Sequence, residues 1–308
     1  MGFLRFTANI GSNGMHLDSE GDNNKRSRSR AGSDGELVHA ALTDIGRERT
    51  VNEDRCTLIS TAYGVCHLVL DGMGGAEGGE FAAQLSVETV KRCLLGEHRE
   101  PVDAIRHALE DANRAILLRR ENQKFKEMGT TIVGVLIEGT SVAVAHVGDS
   151  RAYLVSGESI KQLTVDHTYV QQLVDRNEIS KEEALPHPQS HILMQCLGSS
   201  SDVRVDVSQF WIWPLSRGEL TDFIVLCTDG LYSMVTEEEI ASIVVALPPH
   251  KGCEELVQLA NARGGFDNIT VAIIPLHGYL RGEIPPMRGR EVRARERSIK
   301  VNRWWKRP

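Results

Sequence analysis

One stretch constrains this chain more than any other: Val65-Cys66-His67-Leu68-Val69-Leu70-Asp71-Gly72-Met73-Gly74-Gly75, an apolar run that ends on a carboxylate and a cluster of glycines. A run of this length, bounded by Gly64 and by Asp71-Gly72, predicts a buried strand rather than a helix. Such a strand delivers Asp71 to its end, where glycines let the backbone turn sharply and approach a ligand closely. Taken singly, a strand ending in Asp-Gly describes a turn as readily as a ligand site. The same design recurs in Phe223-Ile224-Val225-Leu226-Cys227-Thr228-Asp229-Gly230. Two buried strands ending this way point to two carboxylates carried into one site.

The 308 residues suffice for one large domain or two small ones. No apolar run approaches the roughly 20 residues that span a bilayer, and the first residues carry neither a long apolar signal core nor a myristoylation pattern. The expectation is a soluble, cytoplasmic protein without a transmembrane segment. Six cysteines, Cys56, Cys66, Cys93, Cys196, Cys227 and Cys253, are scattered with no CxxC pair, which argues against a zinc cage or a disulfide framework. Residues 1–35 are expected to be a disordered N-terminal extension: from Gly11 to Gly35, with the run Lys25-Arg26-Ser27-Arg28-Ser29-Arg30, there is too little apolar surface to offset the entropy of ordering. The globular region is drawn at 36–278.

Within it, 37–45 predicts a strand and 77–95 a helix with Ala83, Val87, Val90 and Leu94 on one face. Pro101 opens a second helix, whose stripe is Val102, Ile105, Leu109, Ala112 and Ile116. Residues 130–137 and 141–147 predict a hairpin, 151–163 another, and 169–176 a short helix. The stretch 179–201, with Pro186 and Pro188, is a long excursion with little strand signal, of the kind that often carries function. Helices near 236–247 and 253–262 and a closing strand at 268–274 complete the pattern. Strands interleaved with adjacent helix pairs favour an α+β layered sandwich over a doubly wound sheet.

More carboxylates stand where strands meet loops. Glu53 and Asp54 lie in Arg49-Thr50-Val51-Asn52-Glu53-Asp54, Asp149 in His146-Val147-Gly148-Asp149-Ser150-Arg151, and Asp267 in Gly264-Gly265-Phe266-Asp267-Asn268. Each on its own suits a cap or a turn. Together they form an oxygen-only set that fits hard cations such as Mg²⁺ or Mn²⁺, and without a cation they would repel one another.

In order along the chain, Thr43-Asp44-Ile45-Gly46, Arg49, Asn52-Glu53-Asp54, Asp71-Gly72-Met73-Gly74-Gly75, Gly129-Thr130-Thr131, Gly148-Asp149-Ser150-Arg151, Leu163-Thr164-Val165-Asp166-His167, Thr228-Asp229-Gly230-Leu231 and Asp267-Asn268-Ile269-Thr270 closely resemble the protein phosphatase 2C-type family of metal-dependent serine/threonine phosphatases in its bacterial form. The resemblance runs from Leu37 to about Ile274. It implies a four-layer αββα sandwich of two antiparallel sheets flanked by helix pairs, with the metal site at one end between the sheets. It further implies that Asp71 bridges two Mn²⁺ or Mg²⁺ ions, that Gly72 offers its carbonyl to one, and that Asp229 and Asp267 complete the shell of the other. Glu53 and Asp54 would hold metal directly or through water, and Asp149 would join Asp229 at a third, weaker site. Arg49 would grip the substrate phosphate, for which its planar fork is suited.

The implied reaction is direct hydrolysis of phosphoserine and phosphothreonine by a hydroxide shared between the ions, on a phosphoprotein substrate, in opposition to a cognate serine/threonine kinase. The alternative is a catalytically silent phosphoprotein-binding module on the same fold, and the presence of all the metal-binding carboxylates favours activity. Eukaryotic relatives have a His after Asp-Gly where this chain has Met73, so the general acid is open; His146 and His167 are nearby in motif terms only. Cys93 and Arg99 match by letter the spacing of cysteine-dependent phosphatases, but Cys93 falls at a helix end, where the dipole disfavours a thiolate.

The last stretch, 279–308, is a basic tail: from Arg281 onward there are ten Lys or Arg against three Glu, in a chain of net charge −7. Trp304-Trp305 beside Lys306-Arg307 would suit an interface with the chain's own acidic domain, with an acidic partner or with anionic lipid, while a disordered end is the plainer alternative. The acidic remainder argues against nucleic acid. Truncation after Gly278 is expected to preserve turnover of a small phosphate ester while weakening salt-sensitive association of the full chain. Loss of that turnover would show the tail to be part of the catalytic domain.

Overall fold

The computed structural model describes residues 4–6, 39–61, 64–74, 78–96, 100–121, 127–212 and 222–276. Thirteen strands and seven helices follow one another there as β1 (Leu4–Phe6), β2 (Ala40–Asp44), β3 (Arg55–Ser60), β4 (Val65–Leu70), β5 (Gly72–Met73), α1 (Gly78–Leu94), α2 (Pro101–Arg120), β6 (Gly129–Thr130), β7 (Ile132–Glu138), β8 (Ser141–Val147), β9 (Arg151–Ser156), β10 (Ser159–Gln162), α3 (Tyr169–Asp175), α4 (Lys181–Ala184), β11 (Asp206–Trp211), β12 (Phe223–Cys227), α5 (Asp229–Tyr232), α6 (Glu237–Ala246), α7 (Pro249–Ala262) and β13 (Ile269–Pro275). The strands form one sheet in the order β1-β2-β13-β12-β9-β10, a second in the order β11-β8-β7-β4-β3, and the short pair β5-β6. Every pairing is antiparallel.

The period of two along each central strand sorts side chains into layers. On β4, Cys66, Leu68 and Leu70 join Ile132 and Leu136 of β7 against the buried stripes of α1 and α2. The alternate residues Val69, Val133, Val135 and Ile137 turn the other way, to meet Ile224, Leu226, Ala272 and Ile274 of the opposite sheet. On that sheet's outer face Phe223, Val225, Ile269, Val271 and Ile273 pack against Ile240, Val244, Leu256, Val257 and Ala260 of α6 and α7. Helix, sheet, sheet, helix is thus the α+β sandwich that the interleaved pattern predicted.

The helices begin where the local chemistry says they should. Pro101 occupies the first turn of α2, and Arg119 and Arg120 stand in its last turn, where cations complement the helix dipole. A reciprocal capping box of Thr236 and Glu239 starts α6, and another of Ser180 and Glu183 starts α4. Of the stripe read on α2, Ile105, Leu109, Ala112 and Ile116 are buried, and Val102 is partly so. Helix α7 begins at Pro249, four residues before the predicted start, because the Pro248-Pro249 pair supplies an N-terminus that apolar spacing does not register.

One further difference has a physical cause. Leu4–Phe6, inside the extension expected to be disordered, form β1 against β2, in register from Leu4 with Thr43 to Phe6 with Ala41. An open sheet edge offers unpaired backbone groups, so a short extended segment adds to it through main-chain bonds. The rest of 1–35, and the basic tail 279–308, lie outside the described residues. The excursion 179–201 contains α4 and is fastened to the body by Tyr169 N–H to Ile192 O at 2.9 Å, Met194 N–H to His167 O at 2.8 Å and Leu197 N–H to Thr130 O at 2.9 Å.

Candidate metal centre

The ends of β4 and β12 lie on facing sheets, and they bring Asp71 and Asp229 together as the repeated Asp-Gly design implied. Asp71 is held from behind by its backbone: its N–H donates to Thr131 Oγ1 at 3.1 Å, and its carbonyl accepts the Thr131 N–H at 2.8 Å and the Thr130 hydroxyl at 2.9 Å. The Thr131 hydroxyl also lies 2.6 Å from Ser150 Oγ, which links the Asp71 strand end to the turn carrying Asp149. Asp229 is the first residue of α5, following the cap residue Thr228.

Asp54 is buried at 1% exposure, and the sequence supplies hydroxyls for one of its oxygens: Oδ2 accepts from Thr228 Oγ1 at 2.9 Å and from Thr270 Oγ1 at 2.7 Å. Behind Thr270 the relay continues through Thr43 Oγ1 at 2.8 Å to Asn52 Nδ2 at 2.9 Å. Glu53 is positioned by Asn268, whose Oδ1 accepts the Glu53 N–H at 2.9 Å while its Nδ2 donates to the Ile45 and Val51 carbonyls. The helix α1 begins against this loop. A Cβ on Gly72 would lie 2.3 Å from Gly79 O, and one on Gly79 would lie 2.5 Å from Glu53 Oε1, so only glycines allow strand end, helix start and acidic loop to meet.

Asp267 is half-buried, with Oδ1 accepting the Asn268 N–H at 2.8 Å and Oδ2 accepting from Arg49 Nη2 at 2.8 Å. Arg49 itself is exposed at the rim. The acids among the eight predicted residues face one another electrostatically, Asp71 with Asp54, Asp229, Asp149 and Asp267 and Glu53 with Arg49 and Asp267, and this carboxylate recess is looser than one ion's shell, since no three of its acids bring oxygens within 4.8 Å of one another; Asp149 is buried at 6%. The residues that sequence reasoning quoted without assigning a task are the carriers: Thr43, Asn52, Thr131, Ser150, Thr228, Asn268 and Thr270. Their signal was present in the motifs as small hydroxyl and amide residues next to each acid. His146 bonds Val165 O and His167 accepts the Gly148 N–H, so neither of these bonds reaches the acids of the predicted site.

Electrostatics shows what the arrangement lacks. Burial pushes Asp54 up to about 7, opposed by its two threonine hydroxyls and reinforced by Asp229 and Asp267. Burial and then Asp229 push Asp149 up to about 8. Burial and then Asp267 push Asp229 up to about 6. Asp71 is raised well above the usual carboxylate range by burial and by Asp54, Asp229, Asp149 and Asp267. Glu53 is raised by burial, partly offset by Arg49 and the backbone amides of Gly79 and Glu80. Meanwhile Glu53 Oε1, Asp54 Oδ1 and Asp229 Oδ1 are buried with no hydrogen-bond partner. Buried oxygens left unpaired among like charges are costly, and a divalent cation removes both costs. The donor set, oxygen throughout, fits a hard cation that keeps some of its waters.

A family profile described as Protein phosphatase 2C matches residues 46–260. The chain belongs to the protein phosphatase 2C family. Among its relatives is the "Protein phosphatase PhpP" of Streptococcus pneumoniae, 34% identical over 242 residues that cover 77% of this chain and 96% of that one. A solved serine/threonine phosphatase of S. agalactiae superposes with a TM-score of 0.71 at 33% identity, covering 77% of this chain and 98% of that one. The catalytic domain of the serine/threonine phosphatase PstP, solved in complex with two manganese ions, does so with a TM-score of 0.64 at 30% identity, covering 77% and 96%. Divalent-metal dependence is a property of this phosphatase 2C family, and the orphaned oxygens of the present chain agree with it.

The raised carboxyls fix the sign of a pH effect in this phosphatase 2C domain. A carboxyl raised in the folded state adds stability that is complete below its unfolded value of about 4 and is lost as pH rises through the folded value. In chelator the melting temperature should therefore fall between about pH 5 and pH 8.5. Added Mn²⁺ should restore more of it at pH 8 than at pH 5.5, since the ligands must first shed protons. Calorimetry with chelator and with Mn²⁺ checks this, and a melting temperature that rose with pH in chelator would overturn the assignment of burial as the dominant cause.

Proposed function

We propose that this chain hydrolyses phosphoserine and phosphothreonine in phosphoproteins, using Mn²⁺ or Mg²⁺, and opposes a cytoplasmic serine/threonine kinase. The observation that carries the reading is the recess itself: three buried carboxylate oxygens without partners, on Glu53, Asp54 and Asp229, with an exposed Arg49 at the rim. The manganese pair in the PstP structure supports two ions for this chain as well. Asp71, the Gly72 carbonyl, Glu53, Asp54, Asp229 and Asp267 would hold that pair, and Asp149 with Asp229 a third. Bound there, such ions lower the pKa of water and neutralise charge on a phosphoryl group.

The chain's own residues do the rest. Arg49 shares an exposed pair with Asp267, and exposed pairs are worth little, so it can exchange that partner for two phosphate oxygens at small cost. The threonine hydroxyls on Asp54 Oδ2 leave Oδ1 as its unpartnered oxygen. Met73, which follows Gly72, has no proton to give to the leaving serine or threonine oxygen. The excursion 179–201 flanks the site and is suited to reading the peptide around the phosphoresidue. Nothing in the chain favours a silent binding module, since no carboxylate of the set is missing.

Asp229→Asn keeps the shape and removes a charge. It should lower kcat on a phosphothreonine peptide by at least about 100-fold with the far-ultraviolet spectrum unchanged; full turnover with excess Mn²⁺ would sink the metal assignment. Arg49→Ala should chiefly raise KM, by about 10-fold, and Arg49→Lys should recover little of it because a point charge lacks the fork. An unaltered KM would return Arg49 to a structural role as the partner of Asp267.

A further inference from the structure

Outside the carboxylate recess, His146, His167 and Asp206 each place one ligand-capable atom within 4.8 Å of the other two, the one such trio of His, Cys, Asp or Glu among the described residues. It has the composition of a small cation site, and its hydrogen bonds decide against that use. His167 Nδ1 accepts the Gly148 N–H at 3.1 Å. A neutral ring then carries its proton on Nε2, the nitrogen that faces Asp206 Oδ2 at 3.6 Å. A cation on Nε2 would need an imidazole stripped of both protons. Asp206 is engaged as well, since Arg204 Nε donates to Oδ1 at 2.5 Å and Nη2 to Oδ2 at 3.0 Å. His146 commits its Nε2 to the Val165 carbonyl at 2.8 Å and stacks on His167 with centroids 4.7 Å apart.

The station has a different use, which follows from what it holds. Gly148 has φ +104°, and a Cβ there would lie 2.7 Å from the Thr131 side chain, so the turn is wedged against the residue that also anchors Asp71. Asp149 is the next residue. The turn is fixed from one side by Ser150 Oγ on Thr131 Oγ1 and from the other by His167 on the Gly148 N–H. We infer that His167 is a positioning residue for Asp149: the Gly148 N–H sets the tautomer of the His167 ring, Asp206, held by Arg204, faces its Nε2 and steadies the ring's orientation, and the ring holds the turn that presents the Asp149 carboxylate to a cation shared with Asp229. This rests on the reading of Asp149 as a metal ligand given above. The same station fastens the excursion, because His167 O accepts the Met194 N–H at 2.8 Å and the Arg204 N–H donates to Gln195 Oε1 at 3.1 Å. The segment beside the site and the third cation thus share one support.

The test is a Mn²⁺ titration of the full chain, with free ion read by electron paramagnetic resonance. Asp149→Asn identifies the class of sites that depends on Asp149. Asp206→Asn and His167→Ala should weaken that class about 10-fold and leave unchanged the sites that survive in Asp149→Asn. The Asp149→Asn, Asp206→Asn double variant should bind as Asp149→Asn alone does, because the two act on one site. His167→Asn, whose Oδ1 can stand where Nδ1 stood and accept the Gly148 N–H, should recover most of the loss, and ¹⁵N spectra of the unaltered chain should show His167 protonated at Nε2. Equal weakening of every site with a matching fall in melting temperature would reduce the station to scaffold and overturn the inference. So would additive losses in the double variant, an Asp149→Asn protein with an unaltered titration, or stoichiometric Zn²⁺ binding that moves the His167 ring signals. A chain that bound Mn²⁺ in the expected pattern yet hydrolysed no phosphopeptide would sink the phosphatase reading while supporting this one.

Discussion

Mutual repulsion among buried carboxylates is the constraint that the rest of the molecule answers. Left alone, Asp71, Asp54, Asp149 and Asp229 would spread apart or protonate, and their raised pKa values record the second tendency. What prevents the first is that each acid stands close before or after a strand in one of two sheets clamped face to face by an apolar middle layer. The dry packing of Val69, Val133, Val135, Ile224, Leu226 and Ala272 is therefore part of the site as much as of the core. It supplies the rigidity against which like charges can be forced together, and so the affinity with which the recess takes up a cation.

A second layer of order lies between the acids and the sheets. Side chains with one or two polar atoms, chiefly threonine and asparagine, aim particular oxygens: Thr228 and Thr270 take one face of Asp54, Asn268 fixes Glu53, and Thr131 joins Asp71 to Ser150. Each is neutral, so none competes with a cation for the acids' charge. Arg49 is the exception, and it sits at the exposed margin where an ion pair is weak enough to be exchanged.

Much of this was legible in the sequence because the signals were local. The apolar runs before Asp71 and Asp229 are continuous and buried on both faces, so their length and their stop gave strand and site together. The stripe on α2 and the hairpin of β7 and β8 repeat at their own periods. Edge and half-exposed elements were not legible for the opposite reason: β11, Asp-Val-Ser-Gln-Phe-Trp, has mixed polarity on both faces, and β3 follows a polar loop with only a weak alternation. The site's residue types could be read in order, but not the bonds that set their direction. Arg49 meets Asp267 across 218 positions and Asp54 meets Thr270 across 216, and nothing in either neighbourhood announces the other.

The place of β13 in the first sheet has a consequence for how the molecule comes into being. It lies between β2 and β12, paired with both, although it is the last strand of the described chain. Until it is made, β2 has no partner on that side, the middle layer lacks Ala272 and Ile274, and Asp267 and Asn268 are missing from the recess. In a ribosome-bound chain every strand of the sheet β3, β4, β7, β8 and β11 is made before β13, whereas the other sheet and the site wait for it. Non-local closure of this kind is slow and comes late. The strand acts as a keystone in time as well as in space, so that a chain cut short before it is made cannot assemble this site.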